Sequence, residues 1–371
     1  MEKEKKNIKV IITGGGTGGH VFPSISIADT LKKENQDVEI LFVGADNRLE
    51  TTAVPKAGYD FVGLPIRGLQ RKLSFGVFDT LFRLIKSIRI AKKVIKEYKP
   101  DIVVGVGGYA SAAVMYAANK KNIPTLIQEQ NSFPGITNKR LAQKASAICV
   151  AYEGMEKFFP KDKIHITGNP VRTLEIETTK NEAIKFFGLE PDKKTIFVTG
   201  GSLGAKTINK SIIKYIDKIA KTDIQLIWQT GKRNFEEVEK IYREKGEPKN
   251  IHITKFVDRM DLAYKAADLV IARAGAITIS ELAILGKPAI FVPSPNVAED
   301  HQTKNAEALV KIKAAEMIKD SEAEEKLMTF AMILIDKEDK LKELSDNILK
   351  YAKTDAALEI TKIINNIILK R

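Results

Sequence analysis

The 371-residue sequence contains one cysteine, Cys149, so an intrachain disulfide framework is excluded. Its place in the apolar stretch 147–150 reads as a buried thiol in a reducing, cytoplasmic compartment. No apolar run approaches the roughly 18 residues needed to span a bilayer. Residues 1–6 form a charged tail rather than the apolar core of a signal peptide, so no such leader is expected. Negative charge is the scarcer sign: 47 acidic residues face 60 basic ones, a formal net charge of +13. That imbalance favours an anionic partner, whether nucleotide, phospholipid surface or nucleic acid. Apolar residues make up 44% of the chain, enough for two domains with separate cores.

Short β-rich runs at residues 9–13, 39–43, 102–106, 125–128 and 147–150 alternate with helical patterns at 21–34, 75–98, 110–121 and 135–144. Such alternation predicts a parallel sheet covered by helices. The triplet Gly168-Asn169-Pro170 is a turn signal, and it sets the expected domain boundary: residues 1–168, then 169–353. The second half repeats the design. Strands are expected at 195–199, 225–228, 251–254, 269–272 and 289–292, with a helix at 208–219 and a purely helical pattern from Glu322 onward. The expected fold class is therefore α/β, with two Rossmann-like doubly wound sheets.

Five glycines fall between positions 14 and 19, after an apolar strand and before a helical pattern. A loop this rich in glycine brings backbone N–H groups close to an oxygen-rich ligand, at the positive end of the helix that follows. Residues 14–19 formally satisfy the G-x-G-x-x-G spacing of dinucleotide-binding proteins. The acidic residue that should follow at the end of the second strand is badly placed, because Asp46 comes late. His20 stands where the helix begins. It reads either as a capping or packing histidine or as a general base, since a helix start favours the neutral imidazole that accepts a proton. A second glycine loop, Gly200-Gly201-Ser202-Leu203-Gly204-Ala205, follows the strand at 195–199 and echoes the first.

Other polar residues cluster at predicted strand ends. Glu281 closes the string that runs from Arg273, and a carboxylate there can accept both hydroxyls of a ribose; an exposed first-turn glutamate is the plainer reading. Glu129-Gln130-Asn131 and Thr137-Asn138-Lys139 suit recognition of sugar hydroxyls or an acetamido group, or are ordinary turn formers. Gln302 and Asn305 follow a later strand. Between Leu64 and Lys99 there are ten basic residues against Asp79 and Glu97. Phe75, Phe78 and Phe82 lie among Arg83, Lys86 and Arg89, the pattern of a basic amphipathic helix on anionic lipid headgroups. A core helix with a solvated cationic face is the alternative. Nucleic acid fits less well, because the aromatics cluster with aliphatic residues instead of standing as stacking platforms.

The loop Gly14 to Pro23, the strings Gly107-Gly108-Tyr109, Glu129-Gln130-Asn131, Thr137-Asn138-Lys139, Gly168 to Arg172, Gly200-Gly201-Ser202, Arg273 to Glu281 and Asp300-His301-Gln302 resemble the MurG family. These are the undecaprenyldiphospho-muramoylpentapeptide β-N-acetylglucosaminyltransferases of peptidoglycan synthesis. The resemblance runs in order along nearly the whole chain. It implies an inverting GT-B glycosyltransferase with two domains facing a central cleft and neither cofactor nor catalytic metal. Its partners would be UDP-N-acetylglucosamine, lipid I and the anionic cytoplasmic face of the cell membrane, which it would join peripherally.

Carried over by motif, His20 would be the base, with Glu129 as a competing candidate. The resemblance puts Thr17, Gly18, Gly19, Asn131, Arg172, Ser202, Val257, Ala276, Ile277, Thr278, Ser280, Glu281 and Gln302 on the donor. It puts Gly15, Gly16, Tyr109, Thr137 and Asn138 on the acceptor. The last helix, about 354–371, would return to the first domain. Two positions depart from the family pattern: Leu203, where relatives have glutamine, and Gln128, where a histidine is frequent. Other enzymes of the same fold remain open, such as a UDP-sugar epimerase or a glycolipid synthase.

Overall fold

The computed structural model describes residues 7–66, 76–172, 177–297 and 300–370. The chain divides into two compact units, Met1–Thr173 with Asp355–Arg371, and Leu174–Thr354. The division therefore falls five residues beyond the expected boundary.

In the first unit, β1 (Lys9–Gly14), β2 (Glu39–Ala45), β3 (Asp60–Leu64), β4 (Ile102–Gly107), β5 (Thr125–Glu129), β6 (Ala147–Val150) and β7 (Ile164–Ile166) form one sheet in the order β3-β2-β1-β4-β5-β6-β7. Every pairing is parallel. The central strands are buried along their length, as β4 shows, because helices cover both faces; this is why they read as unbroken Val and Ile runs. On one face Ile11, Val103 and Ile127 pack against α3 (Gly76–Tyr98) and α4 (Tyr109–Asn119), through residues such as Ile95 and Val114. On the other, Val10, Ile12 and Val104 pack against Ile27 and Leu31 of α1 (Gly18–Glu34) and Ile360 and Ile364 of the carboxyl-terminal helix, Ala356–Leu369. That helix belongs to the first unit. Burying those two isoleucines contributes on the order of 3–6 kcal/mol to holding it there.

In the second unit, β8 (Thr195–Thr199), β9 (Gln225–Gln229), β10 (Ile251–Thr254), β11 (Leu269–Ala272), β12 (Ala289–Phe291) and β13 (Glu316–Met317) form a parallel sheet ordered β10-β9-β8-β11-β12-β13. One core lies under Ile208, Ile212 and Ile216 of the helix Lys206–Ile219 and Leu327 and Ala331 of the helix Asp320–Leu334. The other lies under Leu262, Tyr264, Ile279 and Leu282.

Both strand orders reverse beside the first strand, at β1/β4 and at β8/β11. In open α/β sheets a ligand crevice forms at such switch points, beyond the carboxyl ends of the strands. Each glycine loop leaves a strand at its unit's switch point.

Candidate active site

The first loop is held from inside the protein. Glu50, on the short helix Glu50–Lys56, is 1% exposed. Its carboxylate accepts from the Gly16 N–H at 3.0 and 2.9 Å and from the Ala45 N–H at 3.0 Å. The loop N–H of Gly16 is thereby committed to an internal anion. Thr17 caps α1, and its carbonyl accepts from the N–H groups of His20 and Val21, both at 3.1 Å. Gly18 and Gly19 open the first turn, where N–H groups find no partner within the helix, and no acidic side chain occupies that turn. Thr17, Gly18 and Gly19 thus offer the positive end of α1 to an anion.

His20 is half-buried against the loop after β4. A Cβ on Gly107 (φ +105°) would come within 2.9 Å of the imidazole, and one on Gly108 (φ +88°) within 2.6 Å of the Gly15 carbonyl. Only glycine at both positions lets the two loops approach this closely. Gln130, beyond β5, closes the third side: its Oε1 lies 3.1 Å from His20 Nδ1, and its Nε2 donates to the Val106 carbonyl at 2.7 Å. The same Nε2 donates to Gln128 Oε1. Gln128 Nε2 donates to Asn169 Oδ1 at 3.1 Å, and Asn169 Nδ2 returns to the Gln130 carbonyl at 3.1 Å. All three amide side chains are buried.

Glu129 is 2% exposed. Its Oε1 accepts from the Asn131 N–H at 3.1 Å and Asn131 Nδ2 at 3.2 Å; its Oε2 accepts from the Gly135 N–H at 3.2 Å and Asn138 Nδ2 at 2.9 Å. Burial pushes the Glu129 carboxyl above the usual range, against the downward pull of these donors. The geometry suits Glu129 to fixing the loop at 131–138. Asn138 Oδ1 is buried without a hydrogen-bond partner among the described residues, whereas Thr137 is half-buried. Tyr109 opens α4 and is 48% exposed. Arg172 stacks its guanidinium 5.4 Å from the Phe22 ring of α1, and Ser26 Oγ donates to the Val171 carbonyl at 2.7 Å.

In the second unit, Ser202 and Leu203 are exposed at the tip of their loop. Gln229, at the end of β9, donates to Thr199 Oγ1 at 2.9 Å and the Gly201 carbonyl at 3.1 Å, and accepts from the Val257 N–H at 2.8 Å. The helix Ala276–Ile284 carries Ala276 and Ile277, both buried, Thr278, half-buried, and Ser280, whose Oγ donates to the Ala276 carbonyl at 3.0 Å. Glu281 is 4% exposed, and the buried Tyr264 hydroxyl donates to its Oε2 at 2.9 Å. Gln302 Oε1 accepts from the Ser294 N–H at 2.8 Å.

On α3, Ser87, Ala91 and Ile95 face the core while Phe82 is 64% and Ile85 43% exposed, next to the exposed Lys86 and Arg89; Arg83 pairs with Asp79 at 2.7 Å. Phe75 and the side chain of Phe78 lie outside the described residues. Glu50, Gln229 and Tyr264 carried no signal in the sequence, since a buried brace is defined by what folds against it. Gln130 was visible only as part of an amide cluster.

Two parallel α/β units with a glycine loop at each switch point define the GT-B fold. The N-terminal domain of glycosyltransferase family 28 matches residues 10–150, and its C-terminal domain residues 195–360. A Parabacteroides distasonis protein is 54% identical over 369 residues, 99% of this chain and 100% of that one. It is named UDP-N-acetylglucosamine–N-acetylmuramyl-(pentapeptide) pyrophosphoryl-undecaprenol N-acetylglucosamine transferase. The crystal structure of Acinetobacter baumannii MurG has a TM-score of 0.72 at 28% identity, covering 97% of this chain and 99% of that one. A UDP-GlcNAc 2-epimerase from Neisseria meningitidis shares the fold, with a TM-score of 0.66 at 19% identity over 98% of this chain and 100% of that one. The chain belongs to glycosyltransferase family 28 and, within it, to the MurG family.

Proposed function

We propose that this chain transfers N-acetylglucosamine from UDP-N-acetylglucosamine to the 4-hydroxyl of the N-acetylmuramyl residue of lipid I, giving lipid II for peptidoglycan. The observation that carries the reading is His20, set at the head of α1 between the loops after β1, β4 and β5, in a chain 54% identical to a transferase of that name. The acceptor O4 attacks the anomeric carbon from the face opposite UDP. The C1–O4 bond forms as the bond from C1 to the diphosphate breaks, the pair of electrons leaves with UDP, and the configuration inverts. His20 takes the O4 proton. Negative charge building on the departing diphosphate is met by the first turn of α1, by Arg172 and by Ser202. Glu281 holds the ribose and Gln302 the sugar hydroxyls.

The exposed Phe82 and Ile85, set among lysines and arginines, support peripheral binding to the anionic cytoplasmic face of the membrane, where lipid I is anchored. The decisive experiment supplies labelled UDP-N-acetylglucosamine with a lipid I analogue. Label should pass to the acceptor with release of UDP. Conversion of the donor with no acceptor present would instead establish an epimerase.

A further inference from the structure

We infer that Gln130 is a positioning residue that fixes His20 in the tautomer protonated at Nδ1, so that Nε2 carries the lone pair. The inference rests on the reading of His20 as proton acceptor and concerns how that acceptor is prepared. A backbone carbonyl can only accept a hydrogen bond, and two carbonyls set the direction of the whole chain of amides. Val106 O faces Gln130 Nε2 at 2.7 Å, so the NH₂ of Gln130 points there and its Oε1 must be the atom 3.1 Å from His20 Nδ1. The Gln130 carbonyl faces Asn169 Nδ2 at 3.1 Å, so Asn169 presents Oδ1 to Gln128 Nε2 at 3.1 Å. Gln128 then presents Oε1 to Gln130 Nε2, closing the circuit with donors opposite acceptors throughout. Reversing Gln130 would set its oxygen against the Val106 carbonyl and Gln128 Oε1, both acceptors, leaving buried polar groups unpaired at about 1–3 kcal/mol each.

With Oε1 fixed as an acceptor, the neutral imidazole satisfies it only by carrying its proton on Nδ1. A carboxylate in the same place would also fix the tautomer but would add a charge that stabilises the imidazolium. The neutral amide orients without that bias. Gln128 both donates, to Asn169, and accepts, from Gln130, in this circuit.

The test is side-chain nitrogen NMR on the full-length protein labelled at its four histidines, at a pH where the imidazoles are neutral, with the His20 signals assigned by their loss in His20→Ala. The wild-type protein should show a protonated Nδ1 and a bare Nε2 at His20, and Gln130→Met should shift that signature toward the Nε2–H form. Turnover of Gln130→Met should fall by about 10–100-fold, the range typical of groups that orient an active residue, while KM for UDP-N-acetylglucosamine stays within about twofold. A bare Nδ1 in the wild type, or an unchanged signature in Gln130→Met, would overturn the inference. The wild-type spectrum decides alone if the variant does not fold. Full turnover in His20→Ala alongside a protonated Nδ1 would sink His20 as the base and leave the tautomer assignment standing.

Discussion

The two glycine loops occupy equivalent places, yet they are braced by opposite means. In the first unit the Gly16 N–H is bound by the buried carboxylate of Glu50, and the neighbouring loop at 131–138 by the buried carboxylate of Glu129. In the second, the Gly201 N–H reaches Thr199 Oγ1 at 3.2 Å, and Gln229 ties Thr199, Gly201 and Val257 together with a single amide. A glycine-rich loop is therefore not by itself an anion cradle. Where a loop N–H points inward at a carboxylate, as that of Gly16 does at Glu50, that donor is already taken and is not offered to a ligand anion. The second loop holds its shape with neutral groups, so the Gln229 brace adds no buried negative charge beside a bound nucleotide diphosphate. Proton transfer is then expected at His20 on the first unit, and recognition of the donor's nucleoside on the second.

That division is broken most directly at His20. His20→Ala should lower turnover by about 10²–10⁴-fold while UDP affinity, measured by calorimetry, stays unchanged. Equal losses in both would mean that His20 itself holds the donor and is not the base. The next largest effect separates the membrane face from both loops. Each basic side chain near an anionic surface contributes about 1 kcal/mol, so reversing Arg83, Lys86 and Arg89 together to glutamate should cut binding to anionic vesicles by at least about a hundredfold. Unchanged sedimentation would show α3 to be an ordinary solvated helix. The braces themselves come third. Glu50→Gln loses charge-assisted bonds and should raise exchange of the Gly16 amide by an amount equivalent to about 2 kcal/mol, whereas Thr199→Val should cost Gly201 about 1 kcal/mol. Equal effects would erase the contrast between charged and neutral bracing.

Much of this was legible in the sequence, for reasons that also explain the remainder. Strands buried on both faces announce themselves as Val and Ile runs, so the strands at 147–150, 195–199 and 269–272 were read to the residue. The edge strands β3 and β13 were missed because they are short or only partly buried, and the helix Lys180–Phe186 hid in a polar stretch that its Thr179–Glu182 capping box starts. The glycine loops and His20 were visible because special backbone and special chemistry leave residue-type signatures. Glu50, Gln229 and Tyr264 were not, since their roles come from tertiary neighbours 17 to 34 positions away or further along the chain.

The smallest expected effect concerns the buried charge in the second unit that does not brace its loop. Lys287 donates to the Ala267 carbonyl at 2.7 Å, and burial pulls its amine down to about 8, only partly opposed by Asp268. Below that value the amine is charged in both states, and the folded protein carries the whole cost of burying it. As pH rises through about 8 the folded state sheds the proton while the unfolded chain keeps it, so the unfolded state binds more protons and stability increases toward the unfolded value of about 10.4. Between pH 7 and 9 the gain should be about 1 kcal/mol in denaturant unfolding, and it should vanish in Lys287→Met. A first unit whose buried carboxylates are each met by several N–H donors should show no comparable gain in this window. If wild type and Lys287→Met instead share one pH slope, the buried amine carries no such cost, and the contrast in how the two units handle buried charge is lost.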